Sequence, residues 1–104
     1  MMNEQTSQER RAYRRHRVRL EVQLDSGEGV TRDFSLAGLY LFTPKPLAVG
    51  ERLELTVAVP DHEHSRAHWV RCRGSVVRVD HTDNGTVGAG VALSPESLGV
   101  LPTA

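Results

Sequence analysis

RRAYRRHRVRLEVQL, residues 10–24, holds the transition that decides the fold. Its second half alternates. Val18, Leu20, Val22 and Leu24 take one phase, and Arg17, Arg19, Glu21 and Gln23 take the other. An apolar residue at every second position, with charge between, describes a strand with one face in a core. The first half has no such period. Arg10, Arg11, Arg14 and Arg15 crowd into it, and Arg17 and Arg19 follow at once. Like charges this close repel one another until an anion with spread-out charge arrives, so this segment is expected to be mobile in the free protein. Arg10 with Arg14, or Arg11 with Arg15, are four apart and can converge on one ligand in a bent or helical segment. A guanidinium forks onto a phosphate, takes the O6/N7 edge of guanine, or lies flat on a ring. The plain alternative is a solvated basic tail.

The same alternation recurs down the chain. Residues 30–34 and 39–43 read as short strands, and the prolines at 44 and 46 end the second of them. Leu53, Leu55, Val57 and Val59 alternate with Arg52, Glu54 and Thr56, and Pro60 is expected to stop that strand. Residues 67–80 form a long strand whose phase slips at Val76-Val77, the mark of a bulge. Asp83-Asn84-Gly85 is a hairpin signal. Val87, Ala89, Val91 and Leu93 form the last strand, with Gly88 and Gly90 on its other face, where a ligand or another backbone can approach closely. Turns are expected at residues 25–29 and 35–38, with Gly38 supplying a positive φ. Ser94-Pro95 is an N-cap followed by a helix-starting proline, with room for one or two turns. Six short strands with turns at regular spacing predict an all-β fold, a small six-stranded antiparallel barrel with an N-terminal arginine loop.

A chain of 104 residues makes one domain with one modest core. The organisation expected is a disordered tail over residues 1–9, the domain over 10–94 and a short C-terminal tail over 95–104. Net charge is formally zero, yet residues 1–20 carry six arginines and His16 against Glu4 and Glu9. That local asymmetry says more about partners than the pI does. One cysteine, Cys72, rules out an internal disulfide and reads as a small buried hydrophobe. No apolar run approaches a membrane span, and the start MMNEQTSQERR lacks the apolar stretch of a signal peptide, so a cytoplasmic location with no membrane contact is the expectation. His62, His64 and His68, with Asp61 and Glu63, are read as a polar surface connection rather than a metal site. No nucleophile has an obvious base beside it, and no carboxylate pair has an apolar seat. A non-enzymatic binding domain without a cofactor follows.

DFSLAG, residues 33–38, supplies what arginines cannot. Asp33 can accept hydrogen bonds from the N1 and N2 donors of guanine, Ser35 can donate to a phosphate or to N7, and Gly38 lets the chain turn back. Taken alone these are ordinary turn residues. Arginines for phosphate and Hoogsteen edge, with a carboxylate for the Watson–Crick edge, together describe a pocket for a guanine nucleotide.

Glu9-Arg10-Arg11 with Arg14-Arg15, then DFSLAG about twenty residues on, then a string of short strands, resembles the PilZ domain. That family carries RxxxR in an N-terminal loop and D/NxSxxG on a barrel. The resemblance runs from about Glu9 to Leu93 and takes in Gly50, the segment 74–78 and the closing Gly88-Ala89-Gly90-Val91. It implies a receptor for cyclic di-GMP that orders its arginine loop on binding and signals to a protein partner. Arg11 and Arg15 match the RxxxR pair through the ERR lead-in, with Arg10 flanking; Arg10 and Arg14 are the competing register. Asp33, Ser35 and Gly38 match D/NxSxxG, and Arg78 falls where members of the family place a side chain against a guanine. His16-Arg17 departs from the family, which has an apolar residue sooner after the second arginine, and the family's C-terminal helix is mostly missing.

Two other readings belong to different classes. A PilZ-like adaptor would work by protein contact alone, and such adaptors lack the arginines that this chain has. A barrel for single-stranded nucleic acid would pair its cations with several exposed aromatics. Only five aromatic residues exist here, and Phe34 and Phe42 fall in expected strands.

Overall fold

The computed structural model describes residues 14–25, 27–61 and 66–100. Its elements in chain order are β1 (Glu21–Leu24), β2 (Gly27–Phe34), β3 (Gly38–Thr43), β4 (Arg52–Asp61), β5 (Arg66–His81), β6 (Val87–Leu93), a 3-10 turn (Pro95–Ser97) and β7 (Gly99–Val100). Every pairing is antiparallel. Around the sheet the order is β1, β2, β3, β6, β5 and β4, and β4 returns to β1. That closure makes the expected six-stranded barrel and removes the open edges of a flat sheet. Among the described residues no helix is long and apolar enough to cross a membrane.

The alternating positions fill the barrel. Val22, Leu41, Val57, Cys72 and Ala89 are wholly buried, and Leu39, Leu55 and Val76 nearly so. Each fully buried aliphatic side chain contributes roughly 1.5–3 kcal/mol relative to exposure. Burial pushes the Cys72 thiol up to about 11, which leaves it protonated and inert at neutral pH.

Local expectations met several non-local facts. β1 begins at Glu21, not Arg17. The preceding arm still runs beside β2, where one backbone bond, from Thr31 N to Leu20 O at 2.8 Å, is joined by the Thr31 hydroxyl. Its Oγ1 accepts from Leu20 N at 2.8 Å and donates to Val18 O at 2.6 Å. β2 begins at Gly27, paired with Leu24, so the first turn is tighter than residues 25–29 suggest. Pro60 does not stop β4. It pairs with Ala67, and β1 contacts β4 only at Leu55–Val57, so beyond that point the ladder is one-sided and a missing N–H is tolerated. The bulge at Val76-Val77 is present as a register shift between Val76 and Arg78. Ser94 makes no side-chain cap. Ser97 Oγ donates to Ser94 O at 2.7 Å instead, and β7 then pairs with β5.

Gly88 and Gly90 face a side chain rather than a backbone. A Cβ at Gly88 would run into the Tyr40 hydroxyl and lie 2.9 Å from Tyr40 Cζ. Tyr40 lies over β6 because nothing projects from that strand there. Gly88→Ala is expected to cost about 1–3 kcal/mol through overpacking and to lower the melting temperature in thermal denaturation. An unchanged melting temperature would mean that the Tyr40 ring moves aside freely.

Candidate ligand-binding site

The arm before β1 brings Arg15, at the described end of the basic segment, to the DFSLAG turn. His16 and Phe34 exchange both backbone hydrogen bonds, each 2.8 Å, in an isolated bridge. In this bridge the His16 backbone does the pairing, and its side chain is exposed. Next to it Arg15 Nε lies 3.5 Å from Asp33 Oδ1. Arg14 is exposed. Arg10 and Arg11 lie outside the described residues, as do Tyr13, His62, Glu63 and His64. Of the two described arginines in the cluster, Arg15 is thus the one at the carboxylate.

Asp33 is seated by a bulge. Thr31 pairs with Leu41 and Asp33 with Tyr40, so Arg32 is the extra residue between them. Asp33 then shares a face with Tyr40 on the outside of the barrel, where Arg15 and Arg32 cover it. It is only 2% exposed, against a side-chain exposure of 57% for Arg15 and 47% for Arg32. Arg32 Nε donates to Asp33 Oδ2 at 2.9 Å. Asp33 Oδ1 is buried and, among the described residues, has no hydrogen-bond partner. Arg15 reaches it at an ion-pair distance without hydrogen-bond geometry. A buried carboxylate oxygen with free lone pairs is a place for an N–H donor from outside the chain.

Ser35 shapes the turn that follows. Its Oγ accepts from Ala37 N and Gly38 N and donates to Gly38 O, all at 3.2 Å. A bond to a ligand would have to replace the one to Gly38 O. Gly38 does not adopt the positive φ expected of it; the glycines that do are Gly50 and Gly85. Glycine is needed at 38 for another reason. It opens β3 opposite Ala92, and a Cβ there would lie 2.9 Å from Val91 O and 3.9 Å from Arg15 Nη2. The missing side chain leaves the ground between Arg15 and the barrel clear.

Arg78 sits across the same face. Its Nε lies 3.0 Å from Asp80 Oδ2, and its Cζ lies 6.0 Å from the Tyr40 ring centroid. Tyr40 donates its hydroxyl to Asp80 Oδ2 at 2.5 Å. That bond holds the Asp80 carboxyl below its ordinary range. Burial, and then the same bond, push the Tyr40 phenol up. A string of groups therefore runs over the outer face: Arg15, Asp33, Arg32, Tyr40, Asp80 and Arg78. Arg32, Tyr40 and Asp80 were missed by the sequence reading. The faint signals for them were the alternation that sets Tyr40 opposite to Leu39 and Leu41, and the bare glycines facing it. Among the described residues no group of three or more His, Cys, Asp or Glu side chains could hold a metal ion.

The family model of the PilZ domain matches residues 5–100 of the chain. The chain belongs to the PilZ domain family, whose members bind cyclic di-GMP and act as receptors or adaptors on protein partners. Among solved structures it is similar to the Bacillus subtilis inhibitor of motility, MotI/DgrA, with a TM-score of 0.68 at 22% identity over 82% of this chain and 42% of that one. At that identity the likeness speaks for the fold, and the chain spans less than half the length of that protein. A search among curated proteins gave no match.

Proposed function

We propose that this PilZ domain is a cyclic di-GMP receptor whose output passes to a protein partner. The observation that carries the reading is the buried Asp33 carboxylate, with Oδ1 lacking a hydrogen-bond partner among the described residues and Arg15 beside it. Guanine offers two N–H donors on its Watson–Crick edge, and Asp33 takes them. Arg15 takes a phosphate or the Hoogsteen edge of the same base, joined by Arg11 in the register that Arg15 favours, with Arg10 and Arg14 adding positive charge. Ser35 and Gly38 shape the turn under the ligand, and Arg78 offers its outward guanidinium to the second base. Ligand phosphates neutralise the repulsion within residues 10–15 and draw that segment onto the barrel face, which changes the surface shown to the partner.

Calorimetric titration with cyclic di-GMP, with GTP and cyclic di-AMP as controls, tests this. Saturable binding of cyclic di-GMP alone, at micromolar or tighter affinity, is the expected result. Absence of heat and of displacement at high ligand concentration would overturn it and leave the adaptor reading, in which the domain acts by protein contact without a nucleotide.

A further inference from the structure

Asp33 has two oxygens, and the fold treats them differently. Oδ2 is held by Arg32 Nε at 2.9 Å, while Oδ1 has no hydrogen-bond partner among the described residues. What holds Arg32 in turn is Tyr40. The Arg32 Cζ lies 4.0 Å from the Tyr40 ring centroid, within the range of a cation–π contact. Tyr40 is itself fixed on several sides. Its hydroxyl is bonded to Asp80, its edge meets Phe42 at a centroid distance of 5.5 Å and an interplanar angle of 76°, and Gly88 leaves the space in which it lies. The bulge in β2 is what brings Arg32 over that ring, because it adds one residue between Thr31 and Asp33. An arginine on an open surface would carry its full rotamer freedom. Here a shelf and a carboxylate define one position for it.

We infer that Arg32, laid on the Tyr40 ring, is a positioning residue that orients Asp33 toward the guanine edge and sharpens discrimination against adenine. The inference rests on the cyclic di-GMP reading above. A carboxylate has about four lone-pair sites, and Arg32 takes one of them on Oδ2, leaving enough for both guanine donors. Adenine presents an acceptor, N1, where guanine presents N1–H. A fixed carboxylate meets that acceptor with repulsion, whereas a loose one swings away and forgives it. Selectivity of this kind depends on the repulsive contact as much as on the attractive one.

The test compares the wild-type chain with Arg32→Gln, Arg32→Lys, Tyr40→Leu and Tyr40→Phe. Cyclic di-GMP affinity is measured by calorimetry, and selectivity by the excess of cyclic di-AMP needed to displace a fluorescent cyclic di-GMP. Loss of a hydrogen bond to a charged group predicts about a tenfold weaker affinity for Arg32→Gln. Arg32→Lys keeps the charge but not the flat fork and is expected to lose about as much. Tyr40→Leu removes the shelf and should match them, and Tyr40→Phe, which keeps the ring but loses the bond to Asp80, should lose less than Tyr40→Leu. In the first three variants a smaller excess of cyclic di-AMP should suffice. Melting curves show that each variant is folded. Wild-type affinity in Arg32→Gln, full rescue by Arg32→Lys, or an unchanged cyclic di-AMP excess throughout would each overturn the inference. A wild-type chain that binds no cyclic di-GMP would overturn the receptor reading instead, so the two failures are distinct.

Discussion

Asp33→Ala is expected to weaken cyclic di-GMP binding by about two to three orders of magnitude while leaving the barrel folded. A hydrogen bond to a charged acceptor is worth about 1.5–3 kcal/mol, two such bonds from one guanine are lost together, and each 1.4 kcal/mol is about tenfold. Asp33 offers them a carboxylate that is 2% exposed and whose Oδ1, among the described residues, has the 3.5 Å ion pair with Arg15 but no hydrogen bond. Two losses add up in the variant. The guanine donors find no acceptor, and the arginine beside them loses the charge that orients it. Stability should change little. Arg15 and Arg32 are about half exposed and can turn to water when the carboxylate is gone, and pairs of that kind are worth about 1 kcal/mol or less. Asp33→Asn should fall between the two, because an amide keeps one acceptor oxygen but turns two donors toward donors. Titration of both variants beside their melting curves checks this. An Asp33→Ala chain that binds as wild type would remove Asp33 from the site.

The barrel was legible in the sequence because its core is written in period two. Val22 and Leu24, Leu53 to Val59, and Val87 to Leu93 each show which face is buried without reference to any other strand. The points that were not legible all depend on a partner far along the chain. How Arg17 to Leu20 runs beside β2 is decided by Thr31, whose N–H bonds Leu20 O and whose hydroxyl takes up both Leu20 N and Val18 O. Whether Pro60 ends a strand is decided by where β1 stops contacting β4. Gly38 was assigned to a turn for its backbone freedom, and it is needed for the nearness of Val91 O. The two-residue β7 carries no pattern of its own and exists through its pairing with β5.

The candidate site divides in the same way. Asp33, Ser35 and Gly38 were visible because they act within six consecutive residues. Arg15 was visible as a member of a charge cluster, and its meeting with Asp33 is the work of the His16–Phe34 bridge. Arg32 and Tyr40 could not be singled out. Their contact needs a bulge in β2, the register of β3 against β2, and a glycine on β6, and no single stretch of sequence contains all three.

Leu41→Ala should be among the most destabilising substitutions in the chain, with a loss of about 2–5 kcal/mol and nearer the upper end. Leu41 is wholly buried in β3, which pairs with β2 on one side and β6 on the other. The cost of such a truncation depends on whether neighbours can collapse into the space. Directly across from Leu41 are Thr31 and Ala89. Thr31 is tethered by its hydroxyl to Val18 and Leu20, and Ala89 has nothing to extend. Neither of these two neighbours can fill the space. Against a total stability of about 5–15 kcal/mol for a domain, the variant is expected to melt roughly 10–30 °C lower. Val49→Ala, at a position 66% exposed, should stay within about 0.5 kcal/mol and serves as the control. A Leu41→Ala loss below about 1 kcal/mol would contradict a close-packed barrel. The same variant separates fold from site. Leu41 points inward while its neighbour Tyr40 lies on the outer face, so the folded fraction should keep its affinity for the dinucleotide. Ligand at about a hundred times Kd then restores roughly 2.7 kcal/mol of apparent stability. A melting temperature that rises with cyclic di-GMP in Leu41→Ala, but not in Asp33→Ala, is the pattern that places the core and the binding face on opposite sides of one strand.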